Sequence, residues 1–116
     1  DRSLPKVEKI IQEHDVIEVI MALNDPGAMG ALAALDSKDY GREVLVYGVD
    51  GSPEAKKLIQ ENMMTGTSAQ FPKQMGDTAI ESAYQLLDKK VIPKTKVIQV
   101  EMITKENIGQ FDINRW

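Results

Sequence analysis

Three planar polar side chains, Asn24, Asp50 and Gln70, are the groups in this sequence best suited to recognition chemistry. Each closes a stretch with strand character, and after each the chain turns into a helix start. A carboxylate accepts two hydrogen bonds and a primary amide both donates and accepts, so this set suits the paired hydroxyls of a polyol. Ligands of open α/β sheets sit outside the carboxyl ends of the strands, the edge that these residues would reach. Singly two of them are weak: Asp50-Gly51 is a common turn dipeptide, and an Asn before a helix is usually a cap or turn residue, whereas Gln70, among small residues just before Phe71-Pro72, is less easily dismissed. Their equivalent positions at three strand ends make them a set.

Other chemistry is excluded by residue type. The sequence has no cysteine, so disulfides and thiolate chemistry are absent. His14 is its only histidine, which argues against a His-based metal site or triad and places this residue at an exposed helix end. Gly27-Ala28-Met29-Gly30 does not supply the Gly-x-Gly-x-x-Gly turn that a Rossmann-type enzyme would need. The residues therefore describe a protein that holds a ligand without converting it: not an enzyme, with no cofactor and no metal. A formal net charge of −4 argues against a nucleic-acid surface. The lysine pairs Lys56-Lys57 and Lys89-Lys90 read as solvated helix faces.

The elements that must position the polar set follow from periodicity. Residues 3–13 form an amphipathic helix with Ser3 as cap, broken at His14-Asp15. Residues 16–23 are almost wholly apolar and β-branched, as in a strand covered on both faces. Asp25 is expected to cap the next helix with Pro26 at its first position, and small residues from Ala28 to Ala34 let that helix lie close to a sheet. Residues 43–49 are the second strand, and Ser52-Pro53-Glu54 repeats the cap, proline and acid before a helix to about Asn62. A weaker strand spans 64–70, a long helix 73–89 and a fourth strand 96–103, with 108–116 as a tail. The methionines, Met63-Met64 included, are expected as core filler, as is Phe71. Trp116 invites a sugar-stacking reading, which is discounted because terminal residues are often mobile. Strands alternating with helices mean an α/β fold with a mainly parallel sheet flanked by helices.

At 116 residues, 42% apolar and 28% charged, the chain has one domain's worth of globular material. Its longest apolar runs fall short of the ~18–20 residues that cross a bilayer. Opening on Asp1 and not Met, it is expected to be a processed or truncated chain.

Four stretches carry a resemblance to a known family: Asn24 to Leu32, Tyr47 to Ala55, Thr67 to Pro72, and Val100 to Ile108. In that order and over nearly the whole chain they resemble the C-terminal portion of type I periplasmic sugar-binding proteins, the ribose/galactose-binding group that serves ABC transporters. The resemblance implies a partial type I fold, with residues 1–70 as the second half of the C-terminal lobe. Residues 71–95 would be a crossover segment belonging to the N-terminal lobe, and 96–116 the return strand and C-terminal tail. It assigns Asn24, Asp50 and Gln70 to positions that hydrogen-bond sugar hydroxyls. Val49 stands where the family often has an aromatic, which counts against ring stacking from that side. The implied partners are a small sugar, the membrane permease of an ABC transporter and the missing N-terminal lobe. The implied location is periplasmic or extracytoplasmic. Since 116 residues cannot make two lobes, the helix at 73–89 lacks the sheet it would cover, and self-association or swapping is expected to bury its apolar side. The alternative is the effector-binding region of a lac-repressor-like regulator, which shares this fold; the acidic charge and the Ile103-to-Asn107 ending favour transport.

Overall fold

The computed structural model describes residues 2–116. One four-stranded sheet holds β1 (Val19–Met21), β2 (Leu45–Asp50), β3 (Gly66–Ala69) and β4 (Glu101–Thr104), side by side in that order. The first three run parallel, and β4 returns antiparallel to β3. The helices are α1 (Ser3–Glu13), α2 (Asp25–Ser37), α3 (Pro53–Gln60) and α4 (Pro72–Leu87).

The α/β reading and the order of elements hold, and the differences have local causes. Residues 16–23 are covered on one face only. Ile20 and Ala22 pack against the core, whereas Val19, Met21 and Leu23 are exposed. β1 is an edge strand, and alternation turns every second side chain away from the face that α2 covers. The fourth strand is shorter than expected, because β3 offers only Gly66 to Ala69 as partners and the ladder ends at the Ala69–Glu101 pair. Ser3 lies inside α1, and the cap position falls to Arg2, which makes no side-chain cap bond.

Small residues let α2 approach the sheet. Ala28, Gly30, Ala31 and Ala34 are buried along it, and a Cβ on Gly48 of β2 would clash with Asp25 and Met64. Ile59, Ile103 and Val46 are the largest fully buried apolar side chains, and burying each contributes about 1.5–3 kcal/mol. Phe71 packs against this core as expected. Of the methionines, Met64 is the core filler, while Met21, Met63, Met75 and Met102 are exposed.

α4 departs from this block. It buries none of its residues, and Met75, Ile80, Tyr84, Leu86 and Leu87 are all exposed. The molecule measures 59 × 29 × 20 Å with a radius of gyration of 18.0 Å, against about 13 Å for a compact domain of this length. No helix among the described residues is long and apolar enough to cross a membrane.

Candidate functional site

The parallel ladders deliver the polar set to one edge. Met21 pairs with Tyr47, so three residues on, Asn24 comes level with Asp50; Asp50 in turn pairs with Ala69, one residue before Gln70. Asp50 and Gln70 meet directly. The Gln70 side-chain amide donates to Asp50 Oδ1 at 2.8 Å, and the Gln70 main-chain N–H donates to the Asp50 carbonyl at 3.0 Å. Asn24 is not part of that pair. Its Oδ1 accepts the Gly27 N–H at 2.8 Å as the N-cap of α2, a role the sequence pointed to Asp25 for. With its oxygen engaged, Asn24 presents the amide NH2 end, on a groove shared with Arg2, Lys6 and Ile20 and separate from the cavity beside Asp50.

Asp50 sits at φ 133°, a region that non-glycine residues rarely adopt. Holding it there costs on the order of 1–3 kcal/mol, and such outliers cluster where the geometry is used. The structure pins the chain on both sides of it. Asp25, fully buried, accepts the Ser52 N–H at 2.7 Å through Oδ2 and the Thr67 hydroxyl at 2.6 Å through Oδ1. Thr67 in turn accepts the Gly51 N–H at 3.1 Å. One carboxylate at the start of α2 thus ties the ends of β2 and β3 together. It also lies beside the N-terminus of α3, where Ser52 caps by accepting the Ala55 N–H at 3.1 Å and the helix dipole favours negative charge.

An open cavity of about 440 Å³ adjoins the Asp50–Gln70 pair, lined also by Pro72, Met75 and Trp116. Trp116 is brought there by Lys56, which is 3% exposed and not solvated as its pairing with Lys57 implied. The amphipathic turn of α3 points this lysine inward, where its ammonium donates to the Asp112 carbonyl at 2.8 Å and to the Arg115 carbonyl. Burial pushes the Lys56 pKa below its ordinary 10.5, and the charges of Asp112 and Asp25 pull it partly back. No group of three or more His, Cys, Asp or Glu able to hold a metal occurs among the described residues.

The family described as periplasmic binding protein domain matches residues 1–90, well over half of the chain. The chain belongs to this periplasmic-binding-protein family. It is 33% identical to the ribose import binding protein of Bacillus subtilis over 105 residues, 90% of this chain and 34% of that protein. Among solved structures, it superposes with a TM-score of 0.89 on an ABC transporter periplasmic solute binding protein from Actinobacillus succinogenes with bound D-allose. That match is 30% identical and covers 94% of this chain and 38% of the other. A Caulobacter myo-inositol binding protein bound to myo-inositol matches at TM-score 0.84 and 30% identity, over 95% of this chain and 38% of that one. The chain spans about a third of the length of the curated relatives it matches. The fold is a partial type I periplasmic binding protein, α/β with a mostly parallel sheet.

Three residues of this periplasmic-binding-protein chain take places other than the sequence analysis gave them. Asp25 stands before a proline, where a cap is the local expectation, and its real partners lie 27 and 42 residues away. Lys56 carries one signal in retrospect: it follows Ala55 and stands three before Ile59 on one helical face, and both of these are buried. Trp116, discounted in the sequence for its terminal position, is brought to residues 50 and 70 by the folded tail.

Proposed function

We propose that the chain binds a small sugar or cyclic polyol at the carboxyl edge of β1–β3, with Asp50 and Gln70 as its central hydrogen-bonding pair and Asn24, level with them on the adjoining groove, as the third member of the set. It does so as part of the solute-binding component of an ABC transporter working outside the cytoplasmic membrane. The observation that carries this is the Asp50–Gln70 pair: a carboxylate held at an unfavourable φ, bonded to an amide on the next strand and opening on a cavity. Such a pair can accept and donate to neighbouring hydroxyls without reorganising. Ribose, D-allose and myo-inositol, printed for the relatives, belong to that chemical class. The reading includes no chemistry on the ligand, and a membrane permease as the partner. Relatives named as import and transport proteins favour it over the effector-binding region of a lac-repressor-like regulator.

On this reading residues 1–70 are the second half of one lobe, 71–95 cross into the other lobe, and 96–116 return. The full protein would close its two lobes around the ligand by hinge motion. This chain supplies one wall, so its own affinity is weak. Its exposed α4 face is buried by the other lobe or, in the isolated chain, by self-association.

Calorimetry with D-ribose, D-allose and myo-inositol tests the site. Asp50→Ala should weaken whichever of these binds by about tenfold or more, the worth of a hydrogen bond to a charged group. Unchanged affinity in Asp50→Ala and Gln70→Ala would overturn the assignment. In sedimentation, a monomer whose mass does not vary with concentration would refute self-association.

A further inference from the structure

The segment after β4 folds back onto the strand end that presents Asp50. Lys56 is buried in the first turn of α3, four residues after Ser52 and close in sequence to the strand end that presents Asp50. Its ammonium gathers two main-chain carbonyls, those of Asp112 and Arg115, so that the last turn of the tail is tied to the same strand end. A 3.7 Å contact between the Arg115 guanidinium and the Asp112 carboxylate braces this turn. Trp116 follows directly and lies beside Asp50 and Gln70 in the wall of the 440 Å³ cavity, 64% exposed. The cavity is therefore two-sided, with a carboxylate–amide pair on one side and indole, Pro72 and Met75 on the other.

Sugars and cyclic polyols are two-sided in the same way, with hydroxyls around the rim and C–H bonds on the ring faces. We propose that Trp116 is a specificity-determining, ligand-contacting residue, whose indole takes the C–H face of a six-membered ring while Asp50 and Gln70 take its hydroxyls. Lys56 is its positioning residue, holding the tail so that the indole stands over the cavity and not in free solvent. A volume of this size lies within the range for small-ligand pockets, which pair broad apolar walls with a few placed polar groups. An aromatic wall favours a ring with an unbroken C–H face, and so discriminates among polyols that the hydrogen-bonding set alone accepts equally. This inference rests on the binding function proposed above.

The chain has a single tryptophan, so its fluorescence reports on Trp116 alone. The 116-residue chain is titrated with D-ribose, D-allose and myo-inositol, each followed by calorimetry and by indole emission. We expect emission to change saturably with the midpoint that calorimetry gives. Trp116→Ala should weaken the bound ligand by about 3- to 10-fold, the range of an aromatic contact, and Trp116→Phe should recover most of that loss. Lys56→Met should raise acrylamide quenching of the ligand-free indole and weaken binding as Trp116→Ala does. Should Lys56→Met fail to fold, the Trp116 pair of variants decides by itself. Binding heat with a silent indole and full affinity in Trp116→Ala would overturn the stacking role while leaving the binding function intact. No binding heat and no change of indole emission with any of the three probes, even at the high concentrations that a one-walled site requires, would overturn both.

Discussion

Two regions of this chain are built by opposite rules. In the block of β1–β4 with α1–α3, polar groups that leave water find partners: Asp25, Thr67, Ser52 and Lys56 are all buried and all bonded. In the arm from α4 to residue 100, long apolar side chains stay in water, with Leu87 at 76% and Val91 at 100% exposed. Within the arm, α4 satisfies its backbone internally, so the helix needs no partner for its hydrogen bonds, only for its apolar face. The lesson is that local geometry and tertiary stability are separable. The block has both, whereas the arm has the first alone.

The widest expected gap between the regions is in amide hydrogen exchange. Amides of β2 and β3 should open only with global unfolding, while those of α4 should exchange with opening free energies at least about 5 kcal/mol lower in the dilute chain. Equal protection at all concentrations would erase the distinction. A smaller contrast comes from substitution. Asp25→Ala strands the Ser52 N–H and the Thr67 hydroxyl, and at about 1–3 kcal/mol for each buried unsatisfied group it should cost roughly 2–5 kcal/mol in urea unfolding. Ile80→Lys in α4, 60% exposed, should stay within about 0.5 kcal/mol of the parent. Least in size, and sharpest about the site, is residue 50 itself. Asp50→Gly and Asp50→Ala both remove the carboxylate, but only glycine accepts φ 133° without strain. The glycine variant should be the more stable by about 1 kcal/mol, and indistinguishable unfolding midpoints would mean that the strain at Asp50 is not real.

Much of the block was legible in the sequence because its signals are short-range. Ser52-Pro53 starts α3 and Asn24 to Pro26 starts α2, since capping chemistry is settled within four residues. Even there the choice between Asn24 and Asp25 went to the wrong neighbour. Either side chain can cap, and what removed Asp25 was a pair of donors on β3 and after β2. The end of β4 was misjudged for the same reason: residues 96–100 have strand-like alternation, but a strand extends only as far as its partner. Of the candidate set, topology placed Asp50 and Gln70 side by side and the structure bonds them to each other, whereas Asn24 shares their level and not their cavity. Trp116 lay outside any local rule, because the tether that carries it runs through a lysine whose burial no composition reveals.

One feature of the sheet has a use in protein engineering. Ala69 and Glu101 face each other across an antiparallel pair, so the whole stretch from residue 70 to residue 100 leaves and re-enters at neighbouring points, like a cargo loop clipped to a hairpin. A tight turn of two to five residues is the length that ordinarily joins such strands. The arm beyond Phe71 is thus exchangeable in principle: with Gln70 bonded to Asp50 and Phe71 on the core both kept, splicing in a foreign module would make it a fusion port beside the Asp50–Gln70 edge.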